Sequence, residues 1–273
     1  MYQLKTVSIL GCGWFGLPLG KHLSEKGFIV KGSTTQQEKL TELSKNNIEP
    51  FLIVLSPDRE PSETTFFDCD ILIVNIPPRL RHQKAEVFTG MLRMLIKAVQ
   101  GKTIKQLLFI SSTSVYGDLN SEVNELSEII PDTPSGKVLA EAEGLLNRAS
   151  GFSTSILRFA GLIGPGRNPG SFFLRKTGVP NGLAPVNLVH LKDCIGITTL
   201  MIEQQLFPKM INVCAPHHPT RKEFYTHAAV AAGNEPPHFI EEPGHWKIVS
   251  SCIVPSVIPY TYNISNLLEC NHY

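Results

Sequence analysis

Short apolar runs alternate with longer helical patterns from residue 6 to about residue 160 of the chain. The runs that predict strands are residues 6–10, 28–31, 51–55, 71–76, 106–111 and 154–159. Several of them are apolar without alternation, which is typical of strands that helices cover on both faces. The alternation of the two patterns predicts repeated βαβ units and therefore an α/β fold with a doubly wound, mainly parallel sheet.

Two apolar stripes lie in the helical stretches between these runs. Their side chains recur three to four residues apart and are Phe88, Met91, Leu92, Leu95, Ile96 and Val99, then Val138, Leu139, Ala142, Leu145 and Leu146. This spacing gives a helix one apolar face. We interpret both stripes as packing surfaces rather than cofactor contacts.

A glycine motif, Gly11-Cys12-Gly13-Trp14-Phe15-Gly16, follows the first predicted strand directly and precedes a helical pattern. In a Rossmann-type G-x-G-x-x-G loop the first glycine permits the turn, the second admits a diphosphate, and the third lets helix and strand pack closely. The start of the following helix favours phosphate through its free N–H groups and its dipole. The motif predicts a bound nicotinamide nucleotide, with Trp14 and Phe15 beside it.

The end of the second predicted strand bears on the choice of coenzyme. Residues 31–35 carry no carboxylate, although an acidic residue there normally holds the ribose hydroxyls of NAD. Ser33, Thr34 and Thr35 are expected to donate hydrogen bonds to a 2′-phosphate, and Lys39 to supply charge. We therefore predict NADP, with NAD as the alternative. Lys39 as an ordinary solvated residue also stays open.

Residues 164–170 are rich in glycine and proline, which favour turns over regular structure, and therefore predict a domain boundary. We expect a Rossmann domain at residues 1–164 and a smaller substrate-side region at 165–273, of which about 187–215 returns to the sheet. There Asp193 is expected to cap a helix through Met201, residues 211–214 read as a strand, and Thr220 with Glu223 has capping-box spacing. Residues from 252 onward show no pattern that predicts structure.

Composition narrows the classes of partner. The chain has 273 residues, a formal net charge of +1, 42% hydrophobic and 18% charged residues. Neither disorder nor nucleic-acid binding is indicated. Six cysteines without a C-x-x-C pair favour a reducing cytoplasm. No apolar run approaches the roughly 20 residues of a membrane span, so we expect a soluble protein without a membrane partner.

Four segments resemble the short-chain dehydrogenase/reductase superfamily, in its extended and atypical branches of NAD-dependent epimerase/dehydratase type. They are the glycine loop and residues 111–118 (SSTSVYGD), 157–167 (LRFAGLIGPGR) and 189–193 (VHLKD). Residues 75–79 (NIPPR) and 214–221 (CAPHHPTR) are similar to the subgroup of small YeeZ-like proteins. The resemblance implies a cofactor domain followed by a small substrate-side domain, with homodimers formed through helices beside the sheet.

The resemblance also implies where the chemistry lies. The family uses a tyrosine as general acid/base, a lysine four residues later, and a serine or threonine after the fifth strand that orients the substrate oxygen. Ser112 matches that serine. Ser135 and Leu139 align with the tyrosine and the lysine, so both groups are missing. An alternative alignment would take Thr133 and Lys137 as the catalytic pair. It is disfavoured because Pro134 makes a continuous helix from Thr133 improbable.

The remaining candidates follow from position. Ser112, Ser135 and Tyr116 are the catalytic candidates, Asn75 and Pro77 are expected to join the cofactor site, and Arg79, Thr113 and Arg167 are expected to bind substrate. A packed structural role for Tyr116 and a loop-capping role for Ser112 stay open as alternatives. Arg79 and Arg167 follow strand ends, where ligands collect in open α/β sheets, although either is also compatible with a solvated side chain. We interpret His190 as structural, and the adjacent His217 and His218 lack partners at zinc-like spacing, so no metal is expected.

Three functions remain open. The first is an NAD(P)-dependent oxidoreductase or epimerase acting on a hydroxylated small molecule, linked to a sugar or a nucleotide. The second is an inactive NADP(H)-binding sensor, which the loss of the tyrosine and the lysine favours. The third, a structural protein with an empty site, leaves the three glycines unexplained.

Overall fold

A computed structural model describes residues 5–270. The strands are β1 (Thr6–Leu10), β2 (Ile29–Thr34), β3 (Glu49–Leu52), β4 (Ile71–Val74), β5 (Gln106–Ser112), β6 (Ser121–Val123), β7 (Ser153–Phe159), β8 (Gly161–Ile163), β9 (Leu188–His190), β10 (Met210–Val213) and β11 (Lys247–Val249). The helices are α1 (Gly16–Glu25), α2 (Leu40–Lys45), α3 (Ala85–Val99), α4 (Pro134–Arg148), α5 (Leu191–Gln204) and α6 (Arg221–Ala231).

Seven of the strands form one parallel sheet in the order β10-β7-β5-β4-β1-β2-β3. Helix α1 packs beside α5, and α3 packs beside α4. All four residues of β4 are buried, as expected of a central strand with both faces covered. The predicted α/β fold with a doubly wound parallel sheet is confirmed.

Two strands, β2 and β3, differ from the prediction by three residues at one end. Strand β2 runs three residues further, to Thr34, and β3 begins earlier and ends at Leu52. The ladder explains both changes, because Lys31 to Thr34 pair in register with Glu49 to Leu52. Backbone pairing therefore keeps a polar segment extended that its side chains alone did not identify as a strand.

Part of the chain after β7 builds a small lobe with its own core, whereas α5 packs beside α1 and β10 joins the main sheet. Strand β8 pairs with β9 and β11 pairs with β6. The buried core of the lobe consists of Ile163, Val186, Leu188, Ala215, Phe224, Tyr225 and Leu267. Helix α6 starts with the predicted capping box, in which Thr220 and Glu223 each accept a backbone N–H of the other.

The expectation that Asp193 caps α5 is wrong. The cap is His190, whose Nδ1 accepts the Lys192 N–H at 3.1 Å. Asp193 is fully buried and instead accepts the backbone N–H groups of Asn263 at 2.6 Å and Ile264 at 3.2 Å. One buried carboxylate thus ties the poorly patterned C-terminal segment to α5.

Across residues 5–270, no helix is both long and apolar enough to cross a membrane. The six cysteines are free thiols, and Cys252 is the exposed one. The same described part of the chain contains no cluster of three or more His, Cys, Asp or Glu side chains suited to a metal ion.

Candidate functional site

Side chains from neighbouring strands brace the loop that joins β1 to α1. The Ser33 hydroxyl accepts the Gly11 N–H at 3.0 Å, and the Asn75 amide donates to the Gly11 carbonyl at 2.9 Å. Gly11 has φ +103°, and a Cβ there would overlap the Asn75 carbonyl oxygen. A Cβ on Gly16 would overlap the Gly11 carbonyl oxygen. The turn itself therefore requires glycine at both positions.

Gly13 differs from these two glycines. A Cβ at Gly13 would meet no protein atom within 4 Å, and the residue faces a cavity of about 600 Å³ at the carboxyl ends of the strands. Helix α1 starts there without a side-chain cap and without an acidic residue in its first turn. A bare Cα and a helix N-terminus of about +0.5 charge fit a diphosphate, which needs close backbone approach and positive potential.

Most of the predicted site residues meet at this cavity. Those that line it are Gly11, Gly13, Trp14, Phe15, Ser33, Thr34, Thr35, Lys39, Asn75, Pro77, Arg79, Ser112, Ser135 and Arg167. Gly16 lies beneath the loop, and Thr113 and Tyr116 are buried outside the lining.

Other residues of the wall were not predicted. They are Leu10, Cys12, Gln36, residues 53–55, Ile76, Pro78, Gln83, Phe88, Met91, Ile110, Ser111, Leu139 and Leu162. Three residues of the two apolar stripes, Phe88, Met91 and Leu139, line the cavity as well, and Phe88 and Leu139 are at the same time part of the buried core. The helical period identifies one apolar face but does not show which turn of that face meets a ligand.

The end of β2 forms one wall of the cavity. The Thr34 hydroxyl accepts the Gln36 N–H at 3.1 Å, whereas Thr35 and Lys39 are exposed. Ser33 is 2% exposed and holds Gly11. The geometry makes Ser33 a brace of the glycine loop and gives no support to its expected contact with a 2′-phosphate.

The start of α4 brings to the cavity Ser135 and Leu139, which the sequence resemblance aligns with a tyrosine and a lysine. Ser135 lies in the first helical turn, and Leu139 lines the wall one turn later. Ser112 is the last residue of β5, and its hydroxyl accepts the Ser114 N–H at 3.1 Å. Thr133 caps the helix by accepting the Gly136 N–H at 3.1 Å. Thr133 is thus committed to the helix end, which agrees with rejecting it as a catalytic residue.

Tyr116, a catalytic candidate from the sequence, belongs to a buried network instead. Its hydroxyl donates to the Asn124 carbonyl at 2.8 Å and accepts from Arg158 Nη1 at 2.6 Å. Arg158 is fully buried and forms an ion pair with Glu143, with 2.6 Å between Nη2 and Oε2. Burial raises the pKa of Tyr116 further above its ordinary value of 10.0. With 1% exposure, Tyr116 cannot reach a substrate from this position.

The network ends at the cavity wall. The Ser111 hydroxyl donates to Glu143 Oε1 at 2.6 Å, and Ser111 is part of the lining. A buried charge needs such partners, since an unpaired one is costly in a low-dielectric interior. The ion pair therefore fixes the wall of the site without itself facing the ligand.

The charged side chains of the wall are all cations. Among the lining residues these are Lys39, Arg79 and Arg167, and the lining contains no Asp, Glu, His or Tyr. Arg79 follows β4 with a left-handed backbone, φ +47°. The cavity suits anions, and its lining offers no carboxylate, imidazole or phenol to act as a general acid or base.

A contact between the two parts of the chain covers the glycine loop. Trp14 Nε1 donates to the Pro165 carbonyl at 2.6 Å, and the guanidinium carbon of Arg167 lies 4.3 Å from the centroid of the Trp14 ring. Local sequence patterns carry no signal for a contact between residues so far apart in the chain.

The histidines take structural positions. His190 caps α5, His218 Nδ1 lies 3.0 Å from the Val186 carbonyl oxygen, and His217 Nδ1 accepts the Leu267 N–H at 3.2 Å. Burial lowers the pKa of His218 below 6.5. None of these three rings lines the cavity.

Comparisons with known proteins agree with the motifs. No family profile matches the chain. It is 37% identical over 264 residues to Protein YeeZ of Escherichia coli strain K12, covering 95% of this chain and 96% of that protein. It is 26% identical over 136 residues to the uncharacterized UDP-glucose epimerase YtcB of Bacillus subtilis strain 168, covering 45% of this chain and 43% of that protein.

The fold agrees as well. The UDP-glucuronic acid 4-epimerase of Bacillus cereus, solved with UDP-glucuronic acid and NAD, superposes with a TM-score of 0.80 at 16% identity, over 97% of this chain and 96% of that one. That likeness concerns the fold alone, whereas the match to YeeZ runs along nearly the whole sequence. The chain therefore belongs to the same family as YeeZ, and it shares the fold of the Bacillus cereus epimerase.

Proposed function

We propose that the chain binds a nicotinamide nucleotide in the 600 Å³ cavity, with the diphosphate against Gly13 and the start of α1. The observation that carries the proposal is the open space at Gly13, where a Cβ would touch no protein atom within 4 Å. The fold does not need glycine there, but a ligand that approaches the backbone does. Asn75 and Ser33 keep the loop in the required shape.

NADP is the coenzyme that we propose, with NAD as the alternative. The lining at the end of β2 offers Thr35, Gln36 and Lys39 and contains no carboxylate to repel a 2′-phosphate. The Bacillus cereus epimerase of similar fold was solved with NAD, so the preference has to be measured directly. Titration with NADPH and NADH under the same conditions decides it.

The reaction that we propose is hydride transfer or epimerisation on a hydroxylated small molecule linked to a sugar or a nucleotide. The relative YtcB is called a UDP-glucose epimerase, and the Bacillus cereus enzyme holds UDP-glucuronic acid. The nicotinamide supplies the hydride chemistry when it is bound. Ser112 and Ser135 would hold a substrate oxygen through their hydroxyls, which do not ionise near neutral pH.

A second function, an inactive sensor of the NADP(H) state, has a specific observation in its favour. In the alignment that the resemblance implies, Leu139 stands at the lysine position and Ser135 at that of the tyrosine, and both line the cavity. A site that keeps the cradle and lacks the acid/base pair predicts binding without turnover.

The free thiols agree with a cytoplasmic location. A homodimer stays a prediction that sedimentation can test.

The test starts with Gly13→Val. We expect loss of NADPH and NADH binding by calorimetry with little change in melting temperature, because the new side chain enters the cavity and not the core. Gly144→Ala, on α4 beside the Arg148 side chain, is the control that should bind normally. Unchanged affinity in Gly13→Val would refute the cradle. If wild type binds, a screen of sugar nucleotides for nicotinamide absorbance change separates the enzyme from the sensor.

A further inference from the structure

The turn at residues 164–167 lies directly over the glycine loop. Gly164 and Gly166 have φ +139° and +75°, and the Arg167 N–H donates to the Gly164 carbonyl at 2.8 Å. A Cβ on Gly164 would lie 3.4 Å from the Trp14 ring. The two glycines thus shape a tight turn against Trp14 and carry Arg167 to the cavity.

The charge of Arg167 has no counterion in the described part of the chain. No carboxylate of residues 5–270 lies within 4.0 Å of it. Desolvation lowers the pKa of its guanidinium. The planar face stacks on Trp14 at 4.3 Å, which leaves the N–H donors at the edge of the plane available for an oxyanion.

We propose that Arg167 grips the coenzyme diphosphate from the side of the small lobe and that Trp14 positions it for this contact. The inference rests on the proposed nucleotide site and reassigns Arg167, which the sequence suggested as a substrate ligand. Trp14 follows Gly13 in the chain, so a guanidinium stacked on Trp14 lies beside the place where the diphosphate meets the backbone. The start of α1 and Arg167 then face the diphosphate from two elements.

Trp14 has two separate roles in this arrangement. Its ring supports the guanidinium plane, and its Nε1 donates to the Pro165 carbonyl at 2.6 Å, which fixes the turn that carries Arg167. A nucleotide bound between Arg167 and the glycine loop would therefore contact both parts of the chain. Binding should hold the small lobe against the Rossmann domain and change the surroundings of Trp14.

The chain permits a direct optical test. Trp246 is the other of its two tryptophans, and its hydrogen bonds to Asn120 use backbone atoms. Trp246→Phe therefore leaves Trp14 as the single reporter. In this background we expect NADPH to change the Trp14 emission, and the titration yields the dissociation constant. Inorganic pyrophosphate should compete with NADPH, because it carries the same group.

Arg167→Gln is the decisive variant. We expect it to raise the NADPH dissociation constant about 10- to 100-fold, because a charge-assisted contact is lost. Pyrophosphate should then compete less well, and NADPH binding should depend less on salt concentration. Arg167→Lys keeps the charge without the planar fork, so its NADPH dissociation constant should lie between those of wild type and Arg167→Gln. Arg175→Gln is the control, since Arg175 is exposed and lies outside the cavity lining. Circular dichroism verifies that each variant is folded.

The positioning role of Trp14 is measured separately by calorimetry, with Arg175→Gln again as the control. Trp14→Phe retains a ring and loses only the Pro165 bond, so we expect a smaller loss of affinity than in Trp14→Leu, which removes the stack.

Equal NADPH and pyrophosphate affinities in wild type and Arg167→Gln would overturn the proposal. So would a loss confined to Arg79→Gln, which would place the grip on the other cavity arginine. Wild type that binds no nucleotide would instead refute the proposed function itself.

Discussion

Glu143→Gln should destabilise the fold strongly, because Glu143 neutralises a guanidinium inside the protein. Arg158 is 0% and Glu143 2% exposed, and two contacts join them, Nη2 to Oε2 at 2.6 Å and Nε to Oε1 at 3.1 Å. Ser111 adds a third contact at 2.6 Å to Oε1. Glutamine keeps the shape and one acceptor but removes the charge that offsets Arg158.

The magnitude follows from the cost of an unpaired buried charge. Removing one partner of a buried ion pair costs about 3–5 kcal/mol. Since the glutamine oxygen still accepts one bond, we expect the lower end, about 3 kcal/mol, from a total of about 5–15 kcal/mol. At about 2–4 °C per kcal/mol for a chain near this size, the melting temperature should fall by about 6–12 °C.

Urea unfolding followed by circular dichroism measures the change, with m-values compared to check the transition. Glu141→Gln is the matched control on the same helix, because Glu141 pairs with Arg93 at 3.5 Å on the surface, where both side chains are about half exposed. Exposed pairs of that kind contribute little. The double variant Glu143→Leu/Arg158→Met should recover part of the loss, since apolar replacement of both ions is often tolerated. If Glu143→Gln unfolds like Glu141→Gln, the reasoning fails.

Two further changes test individual groups. Tyr116→Phe leaves Arg158 Nη1 without its 2.6 Å partner and should lower the unfolding free energy by about 1–3 kcal/mol with NADPH affinity unchanged; a lower turnover at unchanged stability would instead return Tyr116 to the mechanism. His218 has a pKa depressed by burial from 6.5, so the unfolded chain takes up the proton first and stability falls as pH drops below about 6.5. His218→Asn, which keeps a donor for the Val186 carbonyl, should flatten the unfolding free energy between pH 7 and pH 5, and an unaltered pH profile would exclude His218 as the source.

Features that local sequence determines were predictable. Buried parallel strands are apolar runs, so β1, β4 and β5 were predicted within two residues. The turn needs glycine at Gly11 and Gly16 for steric reasons that involve neighbouring backbone. Strand β2 was predicted too short because its last residues are polar and are held by pairing with β3. Pairing between strands is not visible in the composition of one segment.

Features that depend on distant contacts were not predictable. Trp14 and Pro165 are 151 residues apart in the chain, and no period or motif relates them. The sequence after residue 252 has no regular pattern of apolar residues. Its backbone is held instead by the Asp193 carboxylate, at Asn263 and Ile264. Leu139 has the spacing of a packing residue and also lines the cavity. Periodicity assigns a side chain to a face, whereas the fold decides what that face meets.

The proposed nucleotide binding and any proton transfer draw on different residues of this site. Ser135, Leu139 and Glu143 are spaced four residues apart and share one face of α4. On that face Ser135 and Leu139 meet the cavity and carry no charge, whereas Glu143 is buried and already neutralised by Arg158. The proposed nucleotide cradle at Gly13 depends on none of these three residues, because its own braces are Asn75 and Ser33. Nucleotide binding therefore does not require catalysis here, and any turnover would need its proton from substrate or solvent rather than from the cavity wall.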